Sequence, residues 1–365
     1  HTLLSIRGDE FKSRQPCSDE NSPWVMAFNG QLYNNKEVKD IVAKEFINED
    51  IDTVLLYELI KVKGWHFINY INGMFSIVLY NKETKIVRFY RDQSGQKHLY
   101  YHISNNKLSF ASEIEALLEM PHISRDCDFH AVQIACSVGY IPGNKTIVKN
   151  VSKLLPGEQL EYNLFSNRLK INFFNQEFLD EKSLSFEEQL GLHFQSARPM
   201  ALNLSGGLDS SIILHEAFEH GKKITTYTSF YEDGNDVENS EALLARKLSE
   251  DYNTDHKEIG LNKKIYLQNL VEAYQVLDEP NYNVSIPLYH YMAKKQGVNG
   301  DGFRVLFSGD GGDEVFYGYP FYDKSHKIDR LTSILSSSLF NLIYKVKNGR
   351  KIDFSCVWDR WFFFK

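Results

Sequence analysis

The sequence predicts two domains of different class, an α+β domain followed by an α/β domain. Up to about residue 170, apolar side chains recur mostly with the period of two that strands show. Beyond residue 186, strand and helix patterns alternate, which is typical of a parallel sheet covered on both faces. Polar and acidic residues replace both patterns around residues 175–185. We therefore predict domains over residues 1–174 and 186–365 of this 365-residue chain.

The first domain is predicted to contain antiparallel sheets with helices packed on them. Two pairs of its strands are separated by short turn-forming segments, as in β-hairpins. Strands are predicted over residues 24–32, 74–80, 86–90, 99–102 and 108–111, and amphipathic helices over residues 36–46 and 52–62.

The second domain is predicted to alternate strands with helices. The strands span residues 200–204, 224–230, 256–259 and 305–307, and the helices span residues 210–220, 240–252, 263–277 and 287–296. In an open parallel sheet, ligands bind beyond the carboxyl ends of the strands. Two loops rich in glycine, serine and acidic residues follow such ends, near residues 204 and 307.

The first of these loops reads Leu-Ser-Gly-Gly-Leu-Asp-Ser-Ser over residues 204–211. Its adjacent glycines let the backbone approach a ligand closely, and its serines accompany the free N–H groups of a helix start, which together favour an anion. Asp209 would repel a phosphate unless a cation lay between them. The loop therefore predicts a phosphate site with a magnesium ion at Asp209.

The second loop places three acidic residues, Asp310, Asp313 and Glu314, among three glycines over residues 308–314. Carboxylates this close repel one another unless a metal or a substrate neutralises them. The sequence has no Walker A lysine motif, so a P-loop kinase or GTPase is not expected. Together, the two loops predict a nucleotide site.

Both loops resemble those of a known family. Residues 205–211 resemble the pyrophosphate loop of the ATP pyrophosphatases, and residues 308–316 are similar to the second signature of the asparagine synthetase family. Residues 278–280, Asp-Glu-Pro, also resemble that family. The resemblance implies a parallel-sheet nucleotide-binding domain of the ATP pyrophosphatase, HUP-like type, with ATP and Mg2+ as cofactors.

The resemblance also implies roles for individual residues. It assigns Mg2+ to Asp209 and Asp313, and it implies that Asp310, where the family more often has glutamate, orients or deprotonates the nucleophile. The implied ATP contacts are Leu204, Ser205, Gly206, Gly207, Asp209, Ser210, Ser211, Ser229, Phe230, Ser308 and Gly309. The implied reaction converts a carboxylate into an acyl-adenylate with release of pyrophosphate, and aminolysis of that intermediate forms an amide.

The first domain resembles the glutamine amidotransferase domain that is fused to asparagine synthetases. Residues 28–34, 73–75, 91–101 and 110–114 carry this resemblance. It implies an Ntn-hydrolase-like sandwich of antiparallel sheets, with glutamine hydrolysis by an N-terminal cysteine. Residues 1–6 are similar to a stretch well downstream of that cysteine, so we expect the start of the domain to be missing from this sequence.

Five positions of this domain indicate whether it can bind and hydrolyse glutamine. The resemblance assigns Asn29 and Gly30 to an oxyanion hole and Asp52 to glutamine binding. Gln31 falls where the family has a glutamate that faces the ammonium group of glutamine, and Leu3 falls where it has an arginine that holds the carboxylate. These two departures predict a weakened or inactive glutaminase.

Two functions therefore stay open. The first is an asparagine synthetase-like amidotransferase that takes ammonia from glutamine and amidates a small-molecule or peptide carboxylate. The second is a lactam or macrolactam synthetase, as in β-lactam synthetases and lasso-peptide cyclases, in which the first domain is a scaffold and an amine of the substrate attacks. Gln31 and Leu3 favour the second function, whereas Asn29, Gly30 and Asp52 favour the first.

The composition of the chain indicates which binding partners and which cellular compartment to expect. A net charge of -7 predicts no basic surface for nucleic acid. Four cysteines without a CxxC pair indicate reduced thiols in a cytoplasmic protein, and no run of 18 apolar residues suggests a membrane span. An amphipathic helix is predicted over residues 331–344. The second domain is expected to be incomplete at its C-terminal end, and a homodimer is compatible with the sequence.

Overall fold

The computed structural model describes residues 14–42, 51–174, 184–234, 239–320 and 322. The chain forms two compact units, His1–Phe307 and Ser308–Lys365. Leu3, the predicted helix over residues 331–344 and most of the predicted linker lie outside the described residues.

Residues 14–174 form nine strands, four α-helices and one 3-10 helix among the described ranges. In chain order they are β1 (Cys17–Ser18), β2 (Trp24–Leu32), α1 (Asn35–Val42), α2 (Asp52–Lys63), the 3-10 helix (Gly64–Tyr70), β3 (Gly73–Asn81), β4 (Ile86–Arg91), β5 (Tyr100–Ser104), β6 (Lys107–Ala111), α3 (Ile114–Leu118), α4 (Phe129–Val138), β7 (Val151–Lys153), β8 (Glu158–Asn163) and β9 (Arg168–Phe173). The antiparallel pairs build a six-stranded sheet in the order β1-β2-β3-β4-β8-β9 and a three-stranded sheet in the order β6-β5-β7.

The six-stranded sheet is apolar on both faces near its centre. In β3, Ile77 and Leu79 pack with α1 and α2, whereas Val78 on the opposite face packs with Tyr101 of the three-stranded sheet. Successive residues of a strand point to opposite faces, so a strand covered on both sides reads as an almost continuous apolar run. The Met-Phe-Ser-Ile-Val-Leu-Tyr sequence of residues 74–80 fits this position.

Residues 184–307 form a four-stranded parallel sheet with helices around it. The elements are α5 (Phe186–His193), β10 (Met200–Asn203), α6 (Leu208–Glu219), β11 (Ile224–Tyr231), α7 (Ser240–Asp251), β12 (Asp255–Leu261), α8 (Lys263–Gln275), α9 (Ile286–Gln296) and β13 (Val305–Phe307). The strand order is β12-β11-β10-β13. Leu202 packs with α6 and α7 on one face, and Ala201 packs with Met292 of α9 on the other.

The antiparallel sandwich followed by a parallel sheet confirms the predicted fold class. Every predicted strand is present with ends within two residues of the prediction, as are the predicted helices of the described ranges. The helix predicted over residues 36–46 is described as far as Val42, and residues 43–50 lie outside the described residues. The domain limits at residues 174 and 186 stay a prediction.

Several elements were not predicted from the sequence. They are β1, the 3-10 helix, α3, α4, α5, β7, β8 and β9. The second unit contains α10 (Gly312–Phe316) within its described residues. Across the described part of the chain, no helix combines the length and the apolar composition needed to cross a membrane.

Candidate functional site

The first predicted loop joins β10 to α6 at the carboxyl edge of the parallel sheet. The N–H of Leu204 donates to the carbonyl oxygen of Tyr227 in β11 at 2.7 Å, and the Leu204 side chain is buried. The loop therefore leaves the sheet directly after this residue, and the chain turns back into α6 at Leu208. This is the strand, turn and helix arrangement that the sequence predicts.

Serine hydroxyls brace the loop from within. The Ser205 and Ser210 hydroxyl oxygens lie 3.1 Å apart, and the Gly207 N–H donates to the Ser205 hydroxyl at 3.2 Å. The Ser211 hydroxyl donates to the Gly207 carbonyl oxygen at 2.7 Å. Ser210 is buried while Ser205 is exposed, so the loop presents one hydroxyl to solvent and fixes it with another.

Gly206 occupies a position that only glycine fits. Its φ of 77° lies in the left-handed region, which favours glycine. A Cβ atom at this residue would lie 2.7 Å from the carbonyl oxygen of Glu241 and 2.7 Å from the Cβ atom of Leu244, both in α7. The loop therefore packs against the start of α7, and its course depends on the missing side chain.

The start of α6 offers backbone donors to an anion. Gly207 is the N-cap residue and, having no side chain, cannot cap the N–H groups of the first turn. The positive end of the α6 helix dipole strengthens the attraction for an anion. Asp209 lies half-buried in the same turn. These groups fit a phosphate with a cation beside it.

Ser229 and Phe230 lie at the same edge of the sheet as this loop. Tyr227 of β11 pairs with Asn203, the last residue of β10. Ser229 and Phe230 come after Tyr227, so this part of β11 extends beyond the end of β10. Both are half-buried and pair with β12, opposite Ile259 and Gly260. The structure thus places residues 204–211 and 229–230, which are predicted to contact ATP, at the same edge of the parallel sheet.

The second predicted loop belongs to the second unit. Gly311 has a φ of 94° and caps α10, and the Gly312 N–H donates to the Gly309 carbonyl oxygen at 3.2 Å. Asp313 lies in the first turn of α10 and is half-buried, whereas Asp310 is exposed. Among the described residues, no group of three or more His, Cys, Asp or Glu side chains is arranged to hold a metal ion.

The predicted glutamine residues gather at the carboxyl end of β2. Gly30 pairs with Phe75 in β3, and a Cβ atom on Gly30 would clash with the carbonyl oxygen of Met74. The strands therefore approach each other closely here, and Gly73 makes the matching close approach to the Gln31 carbonyl oxygen. Asn29 is exposed beside this point.

The polar side-chain atoms of Gln31 and Asp52 form hydrogen bonds within the protein. The Gln31 side chain is 5% exposed, and its Nε2 donates to the carbonyl oxygen of Gln195 at 3.1 Å. The carboxylate of Asp52 accepts from the Leu32 N–H at 3.0 Å and from the side chain of Asn35 at 2.7 Å. Gln31 thus binds the segment before β10, and Asp52 ties α2 and α1 to β2.

The Asp-Glu-Pro stretch lies against the first half of the chain. The Asp278 carboxylate accepts from the Ile114 N–H at 2.8 Å, and Glu279 pairs with Lys153 at 2.7 Å. Burial raises the pKa of both carboxyl groups, and in Glu279 it outweighs the opposing effect of Lys153. These residues join the two halves of the first unit.

Sequence reasoning missed the side chains that shape the first half. Asp92 is buried and accepts from the N–H groups of Phe75, Gln96 and Lys97. Gln15 exchanges two hydrogen bonds with the backbone of Phe28, beside Asn29. Neither residue is marked by a local pattern, because their partners lie in other elements.

Two family models match the chain. The model for the glutamine amidotransferase domain matches residues 1–171, and that for asparagine synthase matches residues 184–360. An asparagine synthetase (glutamine-hydrolyzing) of Bacillus subtilis is 27% identical over 92% of this chain and 55% of its own length. A putative asparagine synthetase of Methanocaldococcus jannaschii is 25% identical over 84% of this chain and 61% of its own length.

A third relative carries a different name. Amidase chyE of Penicillium rubens is 25% identical over 87% of this chain and 51% of its own length. The chain therefore spans between about half and two thirds of the lengths of these relatives.

The fold and the two matches define an amidotransferase-type antiparallel sandwich joined to a synthetase-type parallel sheet. The chain belongs to the asparagine synthetase family.

Proposed function

We propose that this chain is part of an ATP-dependent ligase that forms an amide bond through an acyl-adenylate. The observation that carries the proposal is the loop over residues 204–211, where an exposed serine and an uncapped helix start face solvent beside the half-buried Asp209. Such a start binds phosphate well, and family membership is consistent with ATP as its source.

In the proposed site, the loop at residues 204–211 binds the pyrophosphate portion of ATP, with Leu204 at its base. Ser229 and Phe230 contact the nucleoside, since they extend the neighbouring strand at the same edge. Ser308 and Gly309, which belong to the second unit, are our further candidates for ATP contacts. Asp209 and Asp313 would hold Mg2+, which when bound neutralises charge on the phosphates.

The proposed reaction has two steps. A carboxylate oxygen of the substrate attacks the α-phosphorus of ATP, and the bond to the bridging oxygen breaks, so pyrophosphate leaves. The first-turn N–H groups of α6 stabilise the charge that develops on it. An amine then attacks the acyl carbon, AMP leaves, and the nitrogen loses a proton. We assign orientation or deprotonation of this amine to Asp310.

Glutamine is the first proposed source of the nitrogen. The relatives are named glutamine-hydrolyzing, and the first family model is a glutamine amidotransferase domain. In this version Asn29 and Gly30 stabilise the oxyanion of the hydrolysis step, and Gln31 and Asp52 contact glutamine.

A lactam or macrolactam synthetase is the second candidate, and one observation favours it. Gln31 binds the Gln195 carbonyl, and Asp52 binds Leu32 and Asn35. Polar atoms that glutamine would need are thus engaged in holding the fold. In this version the first domain is a scaffold, and the substrate supplies both the carboxylate and the amine.

One set of measurements tests both versions in the full-length protein. Binding of ATP that requires Mg2+ supports the shared proposal, and absence of such binding overturns it. Glutamate release from glutamine that stops after alkylation of an N-terminal cysteine supports the first version. ATP binding without glutamate release supports the second. The predictions of a cytoplasmic protein without nucleic-acid partners stay untested.

A further inference from the structure

The last residues of β11 extend beyond the neighbouring strand on one side. Tyr227 is the last residue of β11 that pairs with β10, and its carbonyl oxygen accepts from the Leu204 N–H where the phosphate loop begins. On the other side β12 continues to the end of β11, and the Glu232 N–H still donates to the Leu261 carbonyl oxygen at 3.0 Å. In the described part of the chain, residues 228–231 therefore have a strand on one side only.

The backbone groups of Ser229 and Tyr231 point to the side without a strand. Direction alternates along a strand, and Tyr227 faces β10 whereas the N–H of Glu232 faces β12. Residues 229 and 231 therefore direct their N–H and C=O groups towards the side that β10 has left. Ser229 is one of the two residues to which we assign nucleoside contacts, so the conformation of this strand end decides where those contacts lie.

The side-chain amide of Asn239 takes the place of the absent strand at Tyr231. Its Oδ1 accepts from the Tyr231 N–H at 2.8 Å, and its Nδ2 donates to the Tyr231 carbonyl oxygen at 2.9 Å. The Gly234 N–H donates to the same carbonyl oxygen at 3.0 Å, so the chain turns directly after the strand. One planar amide thus gives the Tyr231 backbone the donor and the acceptor that a neighbouring strand would give.

The same side chain does not cap α7, although Asn239 is the N-cap residue of that helix. Asparagine favours this position because its side chain can accept from the N–H groups of the first turn, but here no such hydrogen bond forms. The phosphate loop also packs on the start of α7, where Gly206 closely approaches Glu241 and Leu244. Asn239 therefore joins the end of β11 to the helix that supports the phosphate loop.

We propose that Asn239 is a positioning residue for nucleoside binding. Its amide holds the end of β11 extended, so that Ser229 and Phe230 keep the orientation in which they contact the nucleoside of ATP. This assignment rests on the proposed function. Without the amide, the Tyr231 N–H is left to water while β11 stays paired with β12, so we expect the strand end to loosen and the fold to stay intact.

Calorimetric titration of the full-length Asn239→Ala variant with Mg-ATP tests the assignment. We expect the dissociation constant for Mg-ATP to rise by about 10-fold, the size of effect that one or two net hydrogen bonds produce. Inorganic triphosphate with Mg2+ is the second ligand, because it can occupy the loop over residues 204–211 but has no nucleoside. Its dissociation constant should stay unchanged.

Asn163→Ala is the matched control variant. Asn163 is the last residue of β8, and its side chain accepts from the N–H groups of Phe165 and Ser166 at 3.0 and 2.9 Å. This variant also loses an asparagine side chain that makes two hydrogen bonds to the backbone after a strand, but it lies in the first domain. It should bind Mg-ATP as the wild type does.

Gly234→Ala tests the same contact without changing Asn239. A Cβ atom at residue 234 would lie 2.9 Å from the Cβ atom of Tyr231 and 3.0 Å from Nδ2 of Asn239. It should push the amide away from Tyr231 and weaken binding of Mg-ATP, but not of triphosphate. Unchanged Mg-ATP binding by this variant and by Asn239→Ala, in a wild type that binds Mg-ATP, overturns the assignment alone.

The remaining outcomes are equally decisive. A wild type that does not bind Mg-ATP overturns the proposed function and this assignment with it. Equal weakening of Mg-ATP and triphosphate binding in Asn239→Ala overturns the assignment, because the side chain would then support the site as a whole. An equal loss of Mg-ATP binding in Asn163→Ala overturns it too, since a remote strand end would then have the same effect.

Discussion

The loop over residues 204–211 and the end of β2 differ in what their polar groups do. In the loop, the serine hydroxyls bond one another and the loop backbone, and the helix start is uncapped. At the end of β2, the side chains of Gln31 and Asp52 bond other elements of the fold. The first arrangement leaves the N–H groups at the start of α6 for the ligand proposed above, whereas in the second the polar side chains stabilise the fold.

This difference separates the backbone at the end of β2 from the polar side chains beside it. The strands β2 and β3 approach each other closely at Gly30 and Gly73, and Asn29 is exposed beside this point. A glutamine at position 31 donates to a carbonyl oxygen, which a glutamate could not do at neutral pH. The contact with the Gln195 carbonyl oxygen therefore depends on an amide, and not a carboxylate, at position 31.

Replacement of Asp209 should have the largest effect on activity. Asp209→Asn keeps the shape of the side chain but removes the charge beside the proposed phosphate site. We expect ATP-dependent pyrophosphate release to fall by about 100- to 1,000-fold, the size of effect seen when one charge-stabilising group is lost. Pyrophosphate release with saturating ATP measures this.

The matched control for Asp209→Asn is Glu219→Gln, at the opposite end of α6. It removes the same charge from the same helix and should leave pyrophosphate release unchanged. Equal loss in both variants would point to the net charge of the helix and not to the phosphate loop.

Replacement of Gly206 should affect stability as well as binding. An alanine there would adopt an unfavourable φ and contact the Glu241 carbonyl oxygen in α7. We expect Gly206→Ala to lower the free energy of unfolding by roughly 2–4 kcal/mol, from strain and crowding together. Urea unfolding followed by circular dichroism gives this value.

Gly221→Ala separates the two causes. Gly221 also has a positive φ, 65°, but a Cβ atom there would meet nothing within 4 Å. Strain alone should cost about 1 kcal/mol. If Gly221→Ala lowered the free energy of unfolding as much as Gly206→Ala, crowding against α7 would not explain why residue 206 must be glycine.

Gln31→Glu tests whether a carboxylate at position 31 lets the end of β2 take part in glutamine hydrolysis. The new carboxylate would face the Gln195 carbonyl oxygen and leave it without its donor, at a cost of about 1–3 kcal/mol. We expect lower stability and no gain in glutamate release, because Asp52 stays engaged.

Gln31→Met is the control for Gln31→Glu, since it removes the donor without adding a charge. It should be less destabilising than the glutamate variant. A gain in glutamate release with Gln31→Glu alone would show that one side chain separates the two regions, contrary to our comparison.

Local patterns were enough for the main elements. The apolar alternation of residues 24–32 and the strand, turn and helix signals around residues 204–211 depend on neighbouring residues, and both segments form as predicted. By contrast, α4 was missed because its sequence, Phe-His-Ala-Val-Gln-Ile-Ala-Cys-Ser-Val, has few charges and no clear polar face. Its N-cap, Asp128, is the signal that could have revealed it.

The contacts of the candidate sites were less predictable. Gln31 and Gln195 are 164 positions apart, and nothing in the sequence around either marks the other. The sequence showed that Gln31 departs from the family glutamate, but only the fold shows which atom its amide binds. The same holds for Asp278 and Glu279, whose partners lie in the first half of the chain.

The smallest expected effect is a pH dependence in the half that holds the phosphate loop. His256 of β12 bonds the Thr226 hydroxyl through Nδ1 at 2.9 Å, and burial lowers its pKa, with a weaker opposing effect of Glu258. Above about pH 6.5, the ordinary pKa of histidine, both folded and unfolded states are neutral and stability is unaffected. Below that pH the unfolded state binds the proton first, so stability should fall until the lowered pKa is reached. Urea unfolding at pH 7.5 and 5.5 measures the change, and His256→Gln should reduce the difference between them. An equal loss of stability in that variant would assign the acid sensitivity to other groups.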